Sequence, residues 1–221
     1  MLFGALFNDR SDAGRVLARH LERFRGHADL VLALPRGGVP VGHEVAAVLQ
    51  VPLDVFVVRK LGVPGQEELA MGALASGGVR VLNRDVVNAL AISTETIDAV
   101  TRQEQAELER RERLYRGDRP PLDVAGKTVI LIDDGLATGS TMRAAAAALR
   151  ARKAGKIVVA VPVAAQAACD ELRGEVDEVV CAVTPARFVA VGEWYKEFGQ
   201  TSDDEVCELL RVDGMPNAPT G

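Results

Sequence analysis

The chain has 221 residues, of which 48% are hydrophobic and 26% are charged, a composition typical of a soluble globular protein with one sizeable domain. Its formal net charge of −5 provides no global positive field, which argues against nucleic acid as a partner. No apolar run approaches the length that spans a membrane and no signal-peptide pattern opens the chain, so we expect a cytoplasmic protein without a membrane partner.

The first part of the chain alternates between helical and strand patterns. Leu17, Leu21 and Phe24 recur at helical spacing, which predicts a helix within residues 1–29. The pattern then predicts a strand at 30–34, a helix at 41–49 and a strand at 53–58. Residues 60–78 are rich in glycine and acidic residues and contain a proline, so we predict a long loop, with 79–82 as a strand within or beside it.

The second part begins with a polar helix predicted at 93–117, capped by Ser93 or Thr94 and supported by i,i+4 pairs such as Glu107 with Arg111. A solvated helix, a dimer arm and a lid over a ligand are the three interpretations of its charged surface. After a Pro-Pro break, the pattern predicts strands at 129–132, 156–163 and 176–183, with helices at 142–152 and 165–173.

Strands separated by helices predict an α/β fold with a parallel, Rossmann-like sheet, right-handed crossovers and helices on both faces. Ligands of such sheets bind at the carboxyl ends of the strands. The tail at 213–221 is predicted to be flexible. The three cysteines, Cys169, Cys181 and Cys207, show neither metal-ligand spacing nor a disulfide framework, and we expect them to be buried small hydrophobic residues in a reducing cytosol.

The most informative segment is residues 129–145, VILIDDGLATGSTMRAA. An apolar strand leads directly into Asp133 and Asp134, then into a loop of small and hydroxyl residues, then into an alanine-rich helix. A helix N-terminus attracts phosphate, glycines permit close approach, and hydroxyl groups donate to phosphate oxygens. The paired carboxylates are suited to accept hydrogen bonds from a vicinal diol or to meet a divalent cation. The segment therefore predicts a site for a phosphorylated sugar.

Two basic segments follow other predicted strands. Arg36, Gly37 and Gly38 come directly after the strand at 30–34, and the glycines free backbone N–H groups to face an anion. Arg59 and Lys60 follow the strand at 53–58, where two cations would face the same cleft. An ordinary turn and solvated surface charge are the alternatives. Two anion sites flanking a diol site fit a sugar that carries anionic groups at two positions better than they fit a simple nucleotide.

The segment VILIDDGLATGST resembles the signature that type I phosphoribosyltransferases use to bind phosphoribosyl pyrophosphate (PRPP), with a strand, two acids and a TG[GS][ST]-like loop. The resemblance implies the type I phosphoribosyltransferase fold over about residues 30–185, with a hood from 1–29 and 184–212 in a single domain of residues 1–212. It also implies transfer of the phosphoribosyl group to a nitrogen nucleophile such as a nucleobase, with Mg²⁺, in nucleotide metabolism and salvage, by a cytoplasmic homodimer.

The resemblance assigns each matching segment a role. Asp133 and Asp134 would hold the ribose diol. The loop at residues 34–38, LPRGG, would bind pyrophosphate, and in this family that loop often contains a non-proline cis peptide. The segment 61–75 lies where the family carries a mobile loop that excludes water. The residues implied to be catalytic are Asp133, Asp134, Arg36 and Lys60. Those implied to bind PRPP are Asp133, Asp134, Gly135, Ala137, Thr138, Gly139, Ser140, Thr141, Arg36, Gly37, Gly38, Arg59 and Lys60.

The acceptor is less defined. Residues 188–198, FVAVGEWYKEF, are rich in aromatic residues, and Trp194 and Tyr195 are candidates to contact a planar base, with core packing as the alternative. Ala137 stands where six-oxopurine enzymes carry an acid, which argues against hypoxanthine or guanine. Two other functions stay open: a PRPP- or nucleotide-sensing regulator without turnover, and a hydrolase of a phosphoribosyl sugar.

Overall fold

A computed structural model describes residues 5–120 and 122–212, and the predicted flexible tail at 213–221 lies outside the described residues. In chain order the strands are β1 (Leu30–Ala33), β2 (Leu53–Val55), β3 (Val58–Val63), β4 (Gln66–Ala75), β5 (Val79–Leu82), β6 (Thr128–Ile132), β7 (Lys156–Val163) and β8 (Glu178–Val183). The α-helices are α1 (Arg10–Leu21), α2 (Gly38–Leu49), α3 (Arg84–Ala89), α4 (Thr94–Arg116), α5 (Ser140–Ala151), α6 (Gln166–Leu172) and α7 (Asp203–Val212). Within the described ranges, none of the helices combines the length and apolar character needed to cross a membrane.

The central sheet is parallel and has the strand order β2-β1-β6-β7-β8. Side chains of β6 alternate between its two faces, and both faces are buried. Ile130 and Ile132 pack with residues of α1 and α2, whereas Val129 and Leu131 pack with residues of α5 and α6. A strand buried on both sides reads as a continuous apolar run, which is why this sequence signal is clear. The predicted parallel α/β fold with helices on both faces is confirmed.

The register of the central sheet places the two candidate site loops side by side. β1 and β6 pair from Leu30 opposite Val129 to Ala33 opposite Ile132. Both strands therefore end at the same level, and the LPRGG loop that leaves β1 lies next to the acid pair that leaves β6. The carboxyl ends of neighbouring parallel strands form one edge of the sheet, where ligands bind in such folds.

The predicted loop at 60–78 is wrong. β3, β4 and β5 form a second, antiparallel sheet, with the β3–β4 turn at Gly65, whose φ is +79°. The glycines that indicated a loop are instead required by a neighbouring backbone. A Cβ at Gly72 would lie 2.5 Å from the carbonyl oxygen of Val81, and one at Gly62 would lie 2.8 Å from that of Glu67. The strand at 79–82 is confirmed as β5.

The predicted single strand at 53–58 is also wrong in its second half. β2 ends at Val55, and the chain leaves the central sheet through Phe56 and Val57 before β3 begins. Phe56 N–H still donates to the carbonyl of Ala33, but Val57 N–H donates to the hydroxyl of Ser76 at 2.9 Å. That buried hydroxyl turns the chain toward β4 and starts the second sheet.

The predicted polar helix is confirmed as α4, and Ser93 caps it by accepting from the N–H of Thr96 at 3.2 Å. The pair between Glu107 and Arg111 is present at 2.8 Å. One face of α4 is buried against the second sheet and α7, so the helix is solvated on its remaining surface only. Its buried residues are Ile97, Leu108 and Tyr115.

The end of α4 is tied to the central sheet by a buried ion pair. Arg116 donates from Nε to both carboxylate oxygens of Asp54 on β2, at 3.1 and 3.2 Å. Both side chains are about nine-tenths buried. The charge pattern of α4 alone favours Glu112 as the partner of Arg116, but the edge of the sheet supplies a better-shielded carboxylate.

The expectation for the cysteines is wrong in one respect. Cys169 on α6 and Cys181 on β8 are joined by a disulfide, and Cys207 is free and partly buried. The crossover through α6 packs back against β8, which brings two residues 12 apart in sequence into contact. Cysteine spacing without the crossover geometry does not reveal such a pair.

Candidate functional site

The centre of the site is the acid pair that follows β6. Asp133 and Asp134 are both partly buried, and the N–H of Asp134 donates to Oδ1 of Asp133 at 2.8 Å. Burial raises the pKa of the Asp133 carboxyl well above its ordinary value, and the charge of Asp134 raises it further. Burial also raises the pKa of the Asp134 carboxyl. Two acids held together at this energetic cost are characteristic of a functional site rather than of a structural one.

Arg10, at the start of α1, contacts this acid pair. Its Nε donates to Oδ2 of Asp134 at 2.8 Å, and the exposed fractions of the two side chains are 13% and 16%. Its Nη1 donates to the carbonyl of Gly199 at 2.6 Å, and its guanidinium lies 4.1 Å from the centroid of the Phe198 ring. Arg10 is not identifiable as a site residue from the sequence, because 124 residues separate it from Asp134.

The LPRGG loop lies against the acids, as the pairing of β1 with β6 requires. The peptide bond between Pro35 and Arg36 is cis, as the resemblance implies. A Cβ at Gly37 would lie 2.1 Å from Oδ2 of Asp134, and a Cβ at Gly38 would lie 3.0 Å from Cα of Asp133. No side chain larger than hydrogen fits at Gly37 unless Asp134 moves, so this contact depends on glycine.

Arg36 extends from the same loop toward α7. Its Nη1 lies 3.8 Å from Oδ1 of Asp203, and the Tyr115 hydroxyl donates to the same oxygen at 2.6 Å. The Arg36 side chain is 29% exposed, so it stays accessible to an anion. Asp203 is a second residue near the site that the sequence does not single out.

The signature loop after the acids bends back against the rest of the fold. Leu136 is buried, its N–H donates to the carbonyl of Val163, and its own carbonyl accepts from the N–H of Ala165. A Cβ at Gly135 would lie 2.4 Å from Cγ1 of Val191. The loop is thus anchored at its start by β7 and by the turn at Val191–Trp194.

The remainder of the loop faces outward and ends at α5. Gly139 precedes the helix with a φ of +71°, a left-handed conformation that favours glycine. Ala137, Thr138 and Ser140 are exposed, and the hydroxyls of Thr138 and Ser140 lie 3.5 Å apart. The first N–H groups of α5 point out of the helix end beside these hydroxyls, as in any α-helix. The arrangement provides backbone and hydroxyl donors for an anion.

Arg59 and Lys60 do not lie at the end of β2, which corrects the predicted position. Both belong to β3 in the second sheet, because the chain leaves the central sheet two residues before β3. Arg59 donates to Glu104 of α4 at 2.7 Å, whereas Lys60 is exposed and makes no ion pair among the described residues. The structure therefore places both cations in the second sheet and not at the carboxyl edge of the central sheet.

The two acceptor candidates are packed. Trp194 is 7% exposed and belongs to a small cluster with Phe7 and Val163, which fits the core-packing alternative. Its Nε1 is a buried donor without a partner among the described residues. Tyr195 donates from its hydroxyl to the backbone carbonyl of Asp134 at 2.5 Å and stacks on Phe198 at 4.9 Å between ring centroids. Tyr195 thus holds the backbone of the acid pair in place.

The described residues contain no group of three or more histidine, cysteine, aspartate or glutamate side chains that could hold a metal ion. Asp133 and Asp134 are the two carboxylates at this centre, and Arg10 already engages one of their oxygens. A divalent cation here would need most of its ligands from a bound molecule or from water.

A model of the family described as "Phosphoribosyl transferase domain" matches residues 8–197. The chain belongs to the phosphoribosyltransferase family. Two curated proteins of Mycobacterium tuberculosis, from strains CDC 1551 / Oshkosh and H37Rv and each named "putative phosphoribosyl transferase", are 52% identical to it over 205 residues. This alignment covers 93% of the chain but 46% of each relative, so the chain spans about half the length of the curated relatives it matches.

The fold is that of a solved relative. The crystal structure of the protein TT1426 from Thermus thermophilus is 39% identical in sequence, with a TM-score of 0.84 over 94% of this chain and 98% of that chain. The type I phosphoribosyltransferase resemblance carried by the acid-pair segment is therefore confirmed, and so is the fold class. None of these matches identifies a substrate for this phosphoribosyltransferase family member.

Proposed function

We propose that this protein binds PRPP and transfers its 5-phosphoribosyl group to a nitrogen nucleophile, with release of pyrophosphate. The observation that carries the proposal is the contact between the two loops: Gly37 and Gly38 lie against Asp134 and Asp133. A diol-binding acid pair and an anion-binding loop in contact match a ligand whose ribose ring carries pyrophosphate.

Each part of the ligand has a complementary group. Asp133 and Asp134 would accept hydrogen bonds from the ribose hydroxyls, because ionised carboxylates only accept. The 5′-phosphate would lie at the loop of residues 137–141, where hydroxyls and the N-terminus of α5 supply donors. These residues are Ala137, Thr138, Gly139, Ser140 and Thr141.

The pyrophosphate would lie against the LPRGG loop. Gly37 and Gly38 let the backbone approach it, and Arg36 would supply a charge-assisted hydrogen bond. Arg59 and Lys60 would contribute from β3, with Lys60 the cation that has no competing ion pair among the described residues. Arg59 would first have to release Glu104, because its Nε donates to Oε2 of that carboxylate at 2.7 Å.

The donor set fits Mg²⁺ bound together with PRPP. Mg²⁺ is commonly held by one or two carboxylates, water and substrate phosphate oxygens, and this site offers two carboxylates. Asp133 and Asp134 would hold the ion indirectly, by binding the PRPP molecule that carries it. The bound ion would neutralise charge on the departing pyrophosphate. The protein itself would contribute position and electrostatic complementarity.

The hairpin of β3 and β4 is the candidate lid. Its tip is exposed, with Gln66, Glu67, Glu68 and Leu69 all accessible, and it lies in the segment that the resemblance makes a mobile loop. Closure over the bound sugar would exclude water from the ribosyl centre, since a cationic centre at C1 would otherwise be hydrolysed.

The acceptor is proposed only as a nitrogen nucleophile, with a nucleobase as its class. Ala137 places no acid in the signature loop, which argues against six-oxopurines. The test is to incubate the protein with PRPP, Mg²⁺ and a panel of nucleobases and to follow pyrophosphate. Base-dependent release supports transfer, release without a base supports a hydrolase, and binding without turnover supports a sensor.

The role of the acid pair is tested with the double variant Asp133→Asn, Asp134→Asn. PRPP binding, measured by calorimetry with Mg²⁺, should be abolished while the circular dichroism spectrum stays unchanged, because both acids lie beyond the end of β6. Asp170→Asn is the matched control, since that acid is exposed on α6 and pairs only locally with neighbouring side chains. Unchanged PRPP affinity in the double variant would refute the ribose assignment.

A further inference from the structure

The guanidinium of Arg10 links α1 to two other segments at the acid pair, the signature loop and residues 198–199. It contacts the Asp134 carboxylate of the signature loop, the carbonyl of Gly199 and the ring of Phe198. We propose that Arg10 is a positioning residue that holds the Asp134 carboxylate in the orientation that receives the ribose diol. This inference rests on the proposed function and adds a residue that neither the signature motif nor its loop contains.

The contact is one-sided, which gives it an orienting effect. Nε of Arg10 engages Oδ2 of Asp134 and leaves Oδ1 to accept from a ligand. The backbone of Asp134 is held as well, since its N–H donates to Asp133 and its carbonyl accepts from Tyr195 at 2.5 Å. With the backbone held at both ends, the direction of the carboxylate is set mainly by its partner Arg10.

The guanidinium is itself held rigidly. Its Nη1 donates to Gly199 and its plane lies over the Phe198 ring, so two further groups restrict the rotation of a side chain that is 13% exposed. Space is also restricted at Gly37, where a Cβ would lie 3.2 Å from Nε of Arg10. These contacts use the planar arrangement of N–H donors in the guanidinium, which the ammonium group of a lysine does not provide.

The charges around the acids support the same conclusion. The titratable groups that face Asp134 are Asp133 from its own segment, Arg10 from α1 and the Tyr195 phenol. Arg10 is the cation among these groups. Without it, two adjacent carboxylates would repel each other and turn apart, and the geometry that matches a vicinal diol would be lost.

The test compares two ligands that would occupy different parts of the proposed PRPP site, one with the ribose diol and one without it. Arg10→Gln should weaken binding of ribose 5-phosphate by roughly tenfold or more, because a hydrogen bond to a charged group is lost. Binding of pyrophosphate, which has no diol, should change by less than about twofold, since none of its proposed ligands changes. Both affinities are measured by calorimetry on the full chain in Mg²⁺.

Two further variants define the effect. Arg10→Lys keeps the charge but not the planar arrangement of donors, so its ribose 5-phosphate affinity should lie between those of the wild type and Arg10→Gln. Arg15→Gln is the matched control on the same helix, because that arginine forms an ion pair with Glu44 and is 51% exposed. It should leave both affinities unchanged.

The outcomes separate this inference from the proposed function. If the wild type binds neither PRPP nor ribose 5-phosphate, the proposed function fails and this inference fails with it. If the wild type binds both but Arg10→Gln binds ribose 5-phosphate equally well or more tightly, only the role of Arg10 is overturned. Equal losses for both ligands would show a general structural role instead. If Arg10→Gln does not fold, Arg10→Lys takes its place in the test. A larger loss of affinity for ribose 5-phosphate than for pyrophosphate then supports the role of Arg10, and equal losses or no loss overturn it.

Discussion

Gly135 couples the signature loop to the chain near residue 191, and this coupling can be measured. A Cβ built on Gly135 would lie 2.4, 2.8 and 3.2 Å from Cγ1, Cγ2 and Cβ of Val191. Rotation of the Val191 side chain moves Cγ1 and Cγ2 but not Cβ, so a contact of 3.2 Å, tighter by a few tenths of an ångström than ordinary packing, remains in every rotamer. Gly135→Ala must therefore displace backbone, either in the loop that follows the acid pair or in the turn at Val191–Trp194.

The expected cost follows from the size of the clash. Overpacking a well-packed site by one methyl group costs about 1–3 kcal/mol, so we expect Gly135→Ala to lose about 2 kcal/mol of unfolding free energy. For a domain of this size that loss corresponds to a fall in Tm of roughly 4–8 °C. Val191→Ala removes two partly buried methyl groups and should cost about 1–2 kcal/mol by itself.

The double variant tests the physical reason. In Gly135→Ala, Val191→Ala the shortest contacts are removed, so the two losses should fall short of additivity by about 1 kcal/mol or more. The assay is urea unfolding followed by circular dichroism, with calorimetric binding of ribose 5-phosphate beside it. Gly174→Ala is the control, since a Cβ there meets nothing closer than 3.8 Å. Strict additivity, or a loss in Gly174→Ala as large as in Gly135→Ala, would refute the reasoning.

Buried charged and phenolic groups lead to three further expectations. Arg116→Leu leaves the Asp54 carboxylate buried without its partner, so urea unfolding should show a loss of about 3 kcal/mol. Burial, aided by the Asp203 carboxylate, raises the pKa of Tyr115 to about 12, and burial also raises the pKa of Tyr195. The folded protein should therefore show little tyrosinate absorbance near pH 10.5, and its stability should fall as pH rises past about 10, where unfolded tyrosine ionises. Asp133→Asn should stabilise the ligand-free protein at neutral pH, because the folded-state pKa of Asp133 is raised and its ionisation above about pH 4 costs the wild type stability. The advantage of the variant should vanish in acid, where Asp133 is protonated in both states.

Each expectation has a contrary result. A loss below about 0.5 kcal/mol in Arg116→Leu would mean that the ion pair behaves as an exposed one. Half-maximal tyrosinate absorbance near pH 10 in the folded state would show that both phenols are accessible. A variant Asp133→Asn that is less stable than the wild type at neutral pH would show that the carboxylate stabilises the fold, contrary to its burial next to a second acid.

Local patterns were sufficient for most elements of the central sheet. The strands at 30–34, 129–132 and 156–163 were predictable because a strand buried on both faces must be apolar at every position. α4 was predictable from its cap at Ser93 and its charge pairs. The second sheet was not, because its glycines are selected by the distance to a neighbouring strand, and a single sequence does not show that distance.

The candidate site divides in the same way. Asp133, Asp134 and the loop that follows them are contiguous, so their chemistry can be read from residue types and spacing alone. The partners of these residues come from elsewhere in the chain: Arg10 from α1, Asp203 from α7, and Glu104, which engages Arg59. The aromatic-rich segment also makes Trp194 a candidate acceptor contact, whereas the structure places its ring in a packed cluster.

The sequence by itself therefore determined the family, the parallel α/β sheet and the acid pair with the hydroxyl-rich loop that follows it, because these depend on hydrophobic runs and contiguous motifs. The tertiary structure decided which loop lies beside the acids and which cation contacts them. The first follows from the pairing of β1 with β6, and the second from α1 bringing Arg10 to Asp134. Both are contacts between residues about 100 or more positions apart, and such contacts are set by packing rather than by local spacing.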